Sequence, residues 1–568
     1  MRKFMILGIM MTAAIFTAAC GTSTPPAAEP VDIAVAALPA VDGNAVLGHV
    51  KVLSSDEYEG RAPGTRGEEL SVAYMVDQLK GFGLKPGNSD GTFIQKVPLA
   101  GSAVQGSPVL SFRKGGRRQD LKWKDDYVAW TKRLIESVSL DNSEMVFVGY
   151  GVQAPEFSWD DYKGVDLKGK TMVVLIGDPP VPDPADPTAL DPKTFGGRAM
   201  TYYGRWSYKY EMGAKMGAAA VLIVHETEPA AYPFSVVQSK VTEQFDLLSP
   251  DKNMGRAAVE GWITLDQAKT MFAAAGQDFA ALKKAALARA FKPVLLGTTA
   301  SVTFKNKLRT IDSTNVVALL DGSDPVLKGE CVIYSAHWDH FGIGPEINGD
   351  KIYHGAIDNA SGVGGVIELA RALTKVNPPP KRSILFLLVT AEEQGLLGST
   401  YYAENPIFPL AKTAGVINID ALNVHGRTKD LVVVGLGNSE LDDVLQKAAA
   451  EQGRVLKPDP KPENGSFFRS DHFPFVKQGV PAINPGGGVD YVGRPADWGI
   501  KIMEDFIKND YHKPSDKIRP DWNMAGAAED LQLYLAVGYR VANAARMPEW
   551  KAGSEFKARR DESTAGRK

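Results

Sequence analysis

Residues 331–339 read CVIYSAHWD, an apolar run that ends directly in a histidine and an aspartate. A second apolar run, SILFLLV at 383–389, is followed by a pair of glutamates, and a third, GVINI at 415–419, is followed by an aspartate. Short continuous apolar runs bounded by turns are typical of strands buried on both faces of a sheet. Together with a strand–loop–helix pattern that repeats from Ser313 onward, they predict an α/β layer structure.

The elements around these runs define the predicted fold class. We expect strands at 316–320, 331–336, 383–389 and 415–419, and helices at 45–53, 70–82, 362–375 and 441–451. Strands that alternate with helices imply a mixed, largely parallel central sheet flanked by helices. The composition agrees with a folded protein, because 44% of the 568 residues are hydrophobic and 23% are charged.

The charge balance and the cysteines exclude some classes of protein. Lys plus Arg total 64 and Asp plus Glu total 67, a net charge of −3 that offers no basic field for a nucleic acid. Cys20 and Cys331 lie far apart in different surroundings, so no disulfide framework is implied. Stability must therefore come from packing, with metal binding as a further candidate contributor.

Potential metal ligands follow the predicted strands at the points where the strands end. His337 and Asp339 follow the first run, Glu392 and Glu393 the second, and Asp420 the third. In open α/β sheets, binding sites form outside the carboxyl ends of the strands, so these side chains are expected to meet at one rim. A single histidine or acidic pair is more often plain polar surface, and it is their convergence at strand ends that favours a site.

Two further candidates come from loops. Asp358 lies just before the helix that starts near residue 363, and His512 lies in a late loop at 511–516. Carboxylates crowded at one edge of a sheet repel one another unless cations lie between them. Imidazole and carboxylate ligands without a thiolate suit zinc, and manganese or cobalt is also compatible.

Two divalent ions about 3.5–4 Å apart would satisfy this charge balance. The groups around them would be a bridging hydroxide and five side chains: Asp358, Glu393, Asp420, His337 and His512. Of the two adjacent glutamates only one need bind metal, so Glu392 is left to act as the general base over the bridging water.

Short motifs contain these residues: SAHWDHFG at 335–342, GAIDNASG at 355–362, AEEQGLLGS at 391–399, NID at 418–420, SDHFPF at 470–475 and YH at 511–512. In this order they resemble the motifs of the cocatalytic zinc peptidase family of bacterial leucyl aminopeptidases. The resemblance covers residues 41–140 and 300–547, and it implies the zinc exopeptidase type of α/β fold.

The resemblance also implies a role for each matching ligand. His337 and Asp420 would hold one zinc ion, Glu393 and His512 would hold the second, and Asp358 would bridge the two. Two zinc ions are therefore the expected cofactors.

Two more residues match the family pattern. Glu392 resembles the general base, and Asp339 resembles the acid that orients His337, as partners of ligand histidines commonly do. The presence of all five ligands and the base counts against an inactive receptor-like relative and against a single-zinc glutaminyl cyclase. We therefore expect a dinuclear zinc metallopeptidase that hydrolyses peptides, in the first place an aminopeptidase.

Two alternative functions stay open. A carboxypeptidase or dipeptidase on the same scaffold is compatible, because the side chains lining the pocket, rather than the metal core, choose the end of the peptide. A non-catalytic surface binding protein is a second alternative, which the intact Glu392 and ligand set disfavour. No oligomeric state is implied.

A β-rich region at 141–296 interrupts the predicted peptidase domain, which is therefore discontinuous and spans 41–140 and 297–550. The region resembles a protease-associated domain through VGYGV at 148–152, DDY at 160–162 and GAKMGAAA at 213–220. Such a domain would cover or shape the substrate cleft, and a plain structural insert is the alternative. We assign it no catalytic residue.

The amino-terminal residues predict export. Two basic residues precede an apolar run at 4–19, which indicates a secretory signal at 1–19. The sequence TAAC at 17–20 resembles a bacterial lipobox, so Cys20 is the expected lipidation site and membrane anchor. The protein would then lie on the periplasmic side or at the outer membrane as a lipoprotein, or otherwise be secreted. Residues 20–40 are expected to form a flexible tether, and 551–568 a frayed polar tail.

Overall fold

The computed structural model describes residues 33–239 and 243–565. The predicted signal at 1–19 and the lipidation of Cys20 lie outside the described residues. Within these ranges, none of the helices combines the length and the apolar character needed to cross a membrane.

The described residues form strands and helices in the following order. The strands are β1 (Lys85–Pro86), β2 (Ile94–Lys114), β3 (Arg117–Asp120), β4 (Tyr127–Trp130), β5 (Ser137–Phe147), β6 (Gln153–Ala154), β7 (Trp159–Asp160), β8 (Thr171–Leu175), β9 (Ala220–His225), β10 (Glu243–Leu247), β11 (Val259–Thr264), β12 (Val294–Leu320), β13 (Cys331–His337), β14 (Gly342–Ile347), β15 (Asp350–Tyr353), β16 (Ser383–Val389), β17 (Thr413–Asn418), β18 (Asp430–Val434), β19 (Val455–Pro458) and β20 (Ala482–Pro485).

The helices are α1 (Gly43–Leu53), α2 (Arg66–Gly81), α3 (Trp206–Lys215), α4 (Thr227–Ala230), α5 (Phe234–Ser239), α6 (Leu265–Ala274), α7 (Phe279–Ala285), α8 (Gly362–Leu373), α9 (Leu397–Glu404), α10 (Leu441–Glu451), α11 (His472–Lys477), α12 (Trp498–Asn509), α13 (Ala525–Asn543) and α14 (Lys557–Thr564).

Sixteen strands of the described residues form one mixed sheet, with the central order β19-β18-β20-β17-β13-β16-β12-β5-β8-β9-β11-β4. Strand β13 pairs in parallel with β16 on one side and with β17 on the other. The register places His337 opposite Val389, so the carboxyl ends of β13 and β16 lie at the same edge. The predicted fold class, a mixed α/β sheet flanked by helices, is confirmed.

The central strands are buried on both faces, which explains their continuous apolar sequence. In β13, Val332 and Tyr334 belong to a core shared with helices α1, α8 and α13. Cys331 and Ile333 point to the opposite face, into a second core that includes Phe473 of α11. Cys331 is therefore a small buried residue of this second core.

Two long strands, β2 and β12, run through both the peptidase part and the β-rich region and pair with each other over most of their lengths. Strand β4 lies within the predicted peptidase segment 41–140, but it pairs with β11 of the β-rich region. The two parts therefore share one sheet. The sequence does not indicate this, because β2 contains polar residues and also Pro98 and Pro108.

The described end of the expected tether differs from the prediction. Val35 and Leu38 are buried in the main core, and the Val35 N–H donates a hydrogen bond to Glu451 Oε2 at 2.8 Å. These two apolar side chains dock residues 33–40 on the folded body, although their Ala- and Pro-rich surroundings indicate a linker.

The expected frayed tail also differs. Residues 557–564 form α14, and its Arg560 is buried. The Arg560 guanidinium donates to the main-chain oxygens of Leu410 at 3.0 Å and Thr413 at 2.9 Å. Arg560 thus attaches α14, a helix of mostly polar residues, to the folded body.

Candidate metal centre

The ends of three parallel strands bring most of the predicted ligands to one edge of the sheet. His337 is the last residue of β13, Glu392 and Glu393 lie three and four residues beyond β16, and Asp420 lies two residues beyond β17. Asp358 comes from the segment just before α8, where its backbone leaves the helical conformation. The convergence expected from the strand ends is therefore present.

Two histidines face the two oxygens of one aspartate. His337 Nε2 lies 3.2 Å from Asp358 Oδ1 and 3.2 Å from Asp420 Oδ1. His512 Nε2 lies 3.3 Å from Asp358 Oδ2 and 3.2 Å from Glu393 Oε2. Asp358 therefore stands between two groups of ligand atoms, and each group has one imidazole and one further carboxylate.

The spacing of these atoms fits metal ligation. Ligand atoms about 2.0–2.1 Å from a tetrahedral zinc lie about 3.3–3.4 Å from one another, close to the distances in both groups. His512 Nε2 is buried and has no hydrogen-bond partner among the described residues, although two carboxylates lie beside it. A buried imidazole nitrogen that is not hydrogen-bonded is suited to bind a metal ion. The side chains of this cluster therefore fit zinc.

Burial and crowding perturb the acids of this cluster. Burial, reinforced by the negative charges of Asp420 and Glu393, raises the pKa of Glu392 well above its usual range, although His337 opposes the shift. Burial raises the pKa of Glu393 to about 8. For Asp358, burial acts in the same direction, but the adjacent imidazoles of His337 and His512 outweigh it and hold the pKa well below its usual range. Cations between these groups would relieve the repulsion.

Asp339 supports the site in a different way from the one expected. Its carboxylate accepts hydrogen bonds from the N–H groups of Glu392 at 3.0 Å and Glu393 at 3.4 Å. Its carboxyl oxygen is 3.8 Å from His337 Nδ1, beyond hydrogen-bond distance, whereas its main-chain oxygen is 3.1 Å from the same nitrogen. The main-chain carbonyl of Asp339 therefore orients His337, because the Asp339 carboxylate binds the backbone N–H groups of the two glutamates.

Sequence reasoning assigned no role to Ser470 or Asp516. Ser470 Oγ donates a hydrogen bond to Asp420 Oδ2 at 2.6 Å. The Asp516 carboxylate accepts from the N–H groups of Ile357 at 3.0 Å and Asp358 at 3.0 Å. Ser470 lies in the quoted segment SDHFPF and Asp516 ends the loop at 511–516, which was the available signal, but their partners are 50 or more residues away in sequence.

His340, to which the sequence assigned no ligand role, lies within the site. Its Nδ1 is 2.7 Å from Glu393 Oε1, and ligand atoms of His340, Asp358 and Glu393 all lie within 4.8 Å of one another. The other histidines of this half lie elsewhere: His354 beside the Ser54 carbonyl, His425 against aromatic rings, and His472 against Phe467.

Arg61, which the sequence reasoning passed over, joins the loops that carry the ligands. It is fully buried, and its guanidinium donates to the carbonyl groups of Leu53 at 2.7 Å, Trp338 at 2.9 Å, His354 at 2.7 Å and Gly355 at 2.9 Å. Trp338 directly follows His337, and Gly355 lies three residues before Asp358. No local pattern could reveal this contact, because its partners lie up to 294 residues away.

The fold and the ligand set define an α/β protein with a metal-binding centre at the carboxyl edge of its sheet. Residues 315–536 match Peptidase family M28. Over this part, which is less than half of the chain, the sequence is similar to that family, in agreement with the resemblance drawn from the motifs.

Curated relatives match over part of their length. The chain is 28% identical to leupeptin-inactivating enzyme 1 of Streptomyces exfoliatus over 224 residues, which is 38% of this chain and 47% of the relative. It is 30% identical to leucine aminopeptidase 2 of Trichophyton equinum over 245 residues, 41% of this chain and 45% of the relative. The chain thus spans about half the length of these relatives.

A solved structure, the aminopeptidase from Aneurinibacillus sp. strain AM-1, aligns with 90% of this chain and 96% of its own, at 20% identity and a TM-score of 0.49.

Proposed function

We propose that this protein is a zinc-dependent exopeptidase, in the first place an aminopeptidase that removes N-terminal residues from peptides. The observation that carries the proposal is the placement of His337 and His512 on separate oxygens of Asp358, with the buried Glu392 carboxylate beside them. The family match of residues 315–536 and the aminopeptidase name of one relative support it.

Five residues would hold two zinc ions: His337, Asp358, Asp420, Glu393 and His512. Bound there, zinc supplies Lewis acidity that polarises a peptide carbonyl and lowers the pKa of a coordinated water. The imidazole of His340 is a sixth donor within reach of Glu393.

Glu392 is placed to move the proton. Its Oε2 lies 4.0 Å from His337 Nε2, next to the ligand atoms but farther than the 3.2–3.3 Å that separates them from one another. Its raised pKa favours accepting a proton from the attacking water. The same carboxyl would then donate that proton to the leaving amine nitrogen, so that the amide bond breaks with proton balance preserved.

Some of the side chains in the cluster are partly exposed. The side chains of Asp420 and His512 are each 23% exposed and that of Glu392 is 11% exposed, whereas Glu393 is 3% exposed. Substrate would approach from the side of the first three residues. The Asp339 carboxylate holds the backbone of the glutamate pair, which fixes the point from which the Glu392 side chain extends.

A panel of aminoacyl-nitroanilides and of amino-blocked dipeptides tests the proposal. The protein lacking residues 1–20 is assayed with zinc, after chelation and after zinc is restored. Chelator-sensitive release from free-amino substrates alone is expected. Hydrolysis confined to amino-blocked substrates would instead establish a carboxypeptidase, and no metal-dependent hydrolysis at all would favour a binding protein.

A paired substitution tests the proton-transfer role. Glu392→Gln is expected to lower kcat by at least about 100-fold with zinc content unchanged, since it removes the base and leaves the ligands. Glu57→Gln is the matched control, because that side chain is 68% exposed. A Glu392→Gln protein with full activity would contradict the assignment.

The β-rich region is proposed to shape the substrate cleft as a protease-associated domain would. Tyr202 of this region packs against Phe473 of α11, with ring centroids 4.8 Å apart. The Tyr202 hydroxyl lies 3.1 Å from Lys477 Nζ. Helix α11 begins two residues after Ser470, which binds the ligand Asp420. These contacts support a position of the region beside the metal centre.

Export and lipid anchoring are also proposed, from the apolar run at 4–19 and the residues around Cys20. Full-length protein labelled with palmitate and recovered in the membrane fraction is expected. Cys20→Ser would abolish both signals, and label that persists in this variant would contradict the anchor.

A further inference from the structure

Both oxygens of the Glu393 carboxylate have a histidine beside them. Its Oε2 lies 3.2 Å from His512 Nε2, within one of the two groups of ligand atoms. Its Oε1 lies 2.7 Å from His340 Nδ1, a hydrogen-bond distance. One oxygen therefore faces the metal centre, and the other is paired with an imidazole that is fully buried.

The surrounding backbone and rings hold the imidazole of His340 in place. A Cβ added to Gly355 would lie 2.6 Å from His340 Cγ, so the ring lies directly against the loop that leads to the bridging aspartate. The Phe341 ring meets the imidazole edge to face, with centroids 5.0 Å apart. The His340 N–H donates to the Arg61 carbonyl at 3.3 Å. Because backbone and side chain are both held, the ring has little freedom to turn away from Glu393.

The chemistry of the two groups assigns the proton of this hydrogen bond to His340. A carboxylate binds a metal ion in its deprotonated form, so Glu393 is the acceptor and His340 Nδ1–H is the donor. His340 Nε2 is buried and has no hydrogen-bond partner among the described residues. A proton on that nitrogen would be a buried donor without an acceptor, which is unfavourable. The neutral imidazole with its proton on Nδ1 therefore fits both nitrogen atoms.

Asp420 shows the same arrangement in the other group of ligand atoms. Its Oδ1 lies 3.2 Å from His337 Nε2, and its Oδ2 accepts a hydrogen bond from Ser470 Oγ at 2.6 Å. Each of the two carboxylates thus turns one oxygen to a ligand histidine while a donor from outside the five ligands binds the other. Donors of this kind orient a ligand carboxylate. Glu393 has less access to a replacement water than Asp420, because the two side chains are 3% and 23% exposed.

We propose that His340 is a positioning residue for Glu393, which binds Oε1 through Nδ1–H and so keeps Oε2 turned to the zinc ion shared with His512. The inference rests on the proposed function, since it concerns one of the two zinc ions of that site. It places His340 outside the ligand set. It also assigns His340 and Ser470 to different zinc ions, so that each ion has its own supporting donor.

Two substitutions separate the hydrogen bond from the space that the ring fills. In His340→Asn the amide nitrogen takes about the place of Nδ1 and still donates, whereas His340→Leu fills a similar volume without a donor. Competition with chromogenic chelators measures the affinity for each of the two zinc ions. His340→Leu is expected to bind one ion about 10- to 100-fold more weakly and the other unchanged. His340→Asn is expected to retain most of the affinity for both ions.

Two further variants secure the comparison. His340→Ala also removes the donor and replaces the leucine variant if that protein does not fold. His354→Leu is the matched control, because the His354 imidazole is also buried but lies beside the Ser54 carbonyl, 3.0 Å from Nδ1, rather than beside a ligand. This control is expected to bind both zinc ions as the wild-type protein does.

A double variant tests whether the two donors support different ions. His340→Leu combined with Ser470→Ala is expected to bind both zinc ions weakly, since effects at separate ions add. One ion that keeps its wild-type affinity in the double variant would show that both donors act on the same ion, and this would overturn the assignment.

The outcomes distinguish the positioning role from the proposed peptidase function. Unchanged zinc affinities in His340→Leu, or an equal loss in His340→Leu and His340→Asn, would overturn the positioning role and leave the peptidase function standing. Selective loss of one ion in His340→Leu but not in His340→Asn would support the role. If the wild-type protein then hydrolysed no peptide, the peptidase function alone would be contradicted. Wild-type protein that binds no zinc would contradict both.

Discussion

Replacing Arg61 by methionine is expected to destabilise both the fold and the metal centre. The guanidinium makes four hydrogen bonds to carbonyl groups, and burial lowers its pKa to about 10, equivalent to about 3 kcal/mol against the charged form. Four charge-assisted bonds at about 1.5–2 kcal/mol each contribute about 6–8 kcal/mol. The difference predicts a loss of about 3–5 kcal/mol in the free energy of unfolding for Arg61→Met.

Urea unfolding followed by tryptophan fluorescence measures this loss, and competition with a chromogenic chelator measures zinc affinity. Arg61→Lys is expected to lose about half as much stability, because one ammonium reaches at most two of the four carbonyls. Arg66→Met is the control, since its side chain is 55% exposed and its ion pairs contribute little. A loss below about 1 kcal/mol for Arg61→Met, with zinc affinity unchanged, would refute the argument.

Three further predictions concern the ligands, the metal and the core thiol. Ser470→Ala removes the hydrogen bond to Asp420 and is expected to weaken zinc binding about 10- to 100-fold. Chelator competition measures this affinity, and an unchanged value would show that Asp420 does not need the hydrogen bond from Ser470. Removal of zinc by chelation is expected to lower the free energy of unfolding by about 4 kcal/mol, relative to protein in zinc at 1,000 times the dissociation constant. Identical urea midpoints for the chelated and the zinc-bound protein would contradict the metal site. Burial raises the pKa of the Cys331 thiol to about 12, so in a Cys20→Ser protein no thiol should react with a disulfide reagent at pH 8 until urea unfolds the chain. Rapid reaction of the native protein would disprove that burial.

The central sheet was predictable because its strands are buried on both faces. Strand β16 has the predicted bounds, and β13 ends one residue beyond its predicted end. The long strand β2 was not predicted, since its sequence contains Pro98, Gly101 and Pro108, which indicate turns. It is held instead by pairing with β12, about 200 residues away, and distant pairing leaves no local pattern.

The candidate site, like the sheet, was predictable only in part. Residues that bear potential ligands could be proposed because strand ends and motifs place them. The supporting groups could not, because Ser470, Asp516 and Arg61 act through partners that are distant in sequence. Asp339 illustrates the limit: its type and position suggested a carboxylate bond to His337, but the carboxylate binds backbone N–H groups instead.

The amino-acid sequence by itself therefore determined the fold class, the strand ends and the residue types available as metal ligands, because apolar runs and short motifs are local properties. Only the tertiary structure decided that Asp358 turns its two oxygens to different histidines, and that Arg205 of the β-rich region lies over Gly465 of the peptidase part. Those arrangements depend on packing and hydrogen bonds between segments far apart in the chain, whose relative positions are set only when the whole core forms.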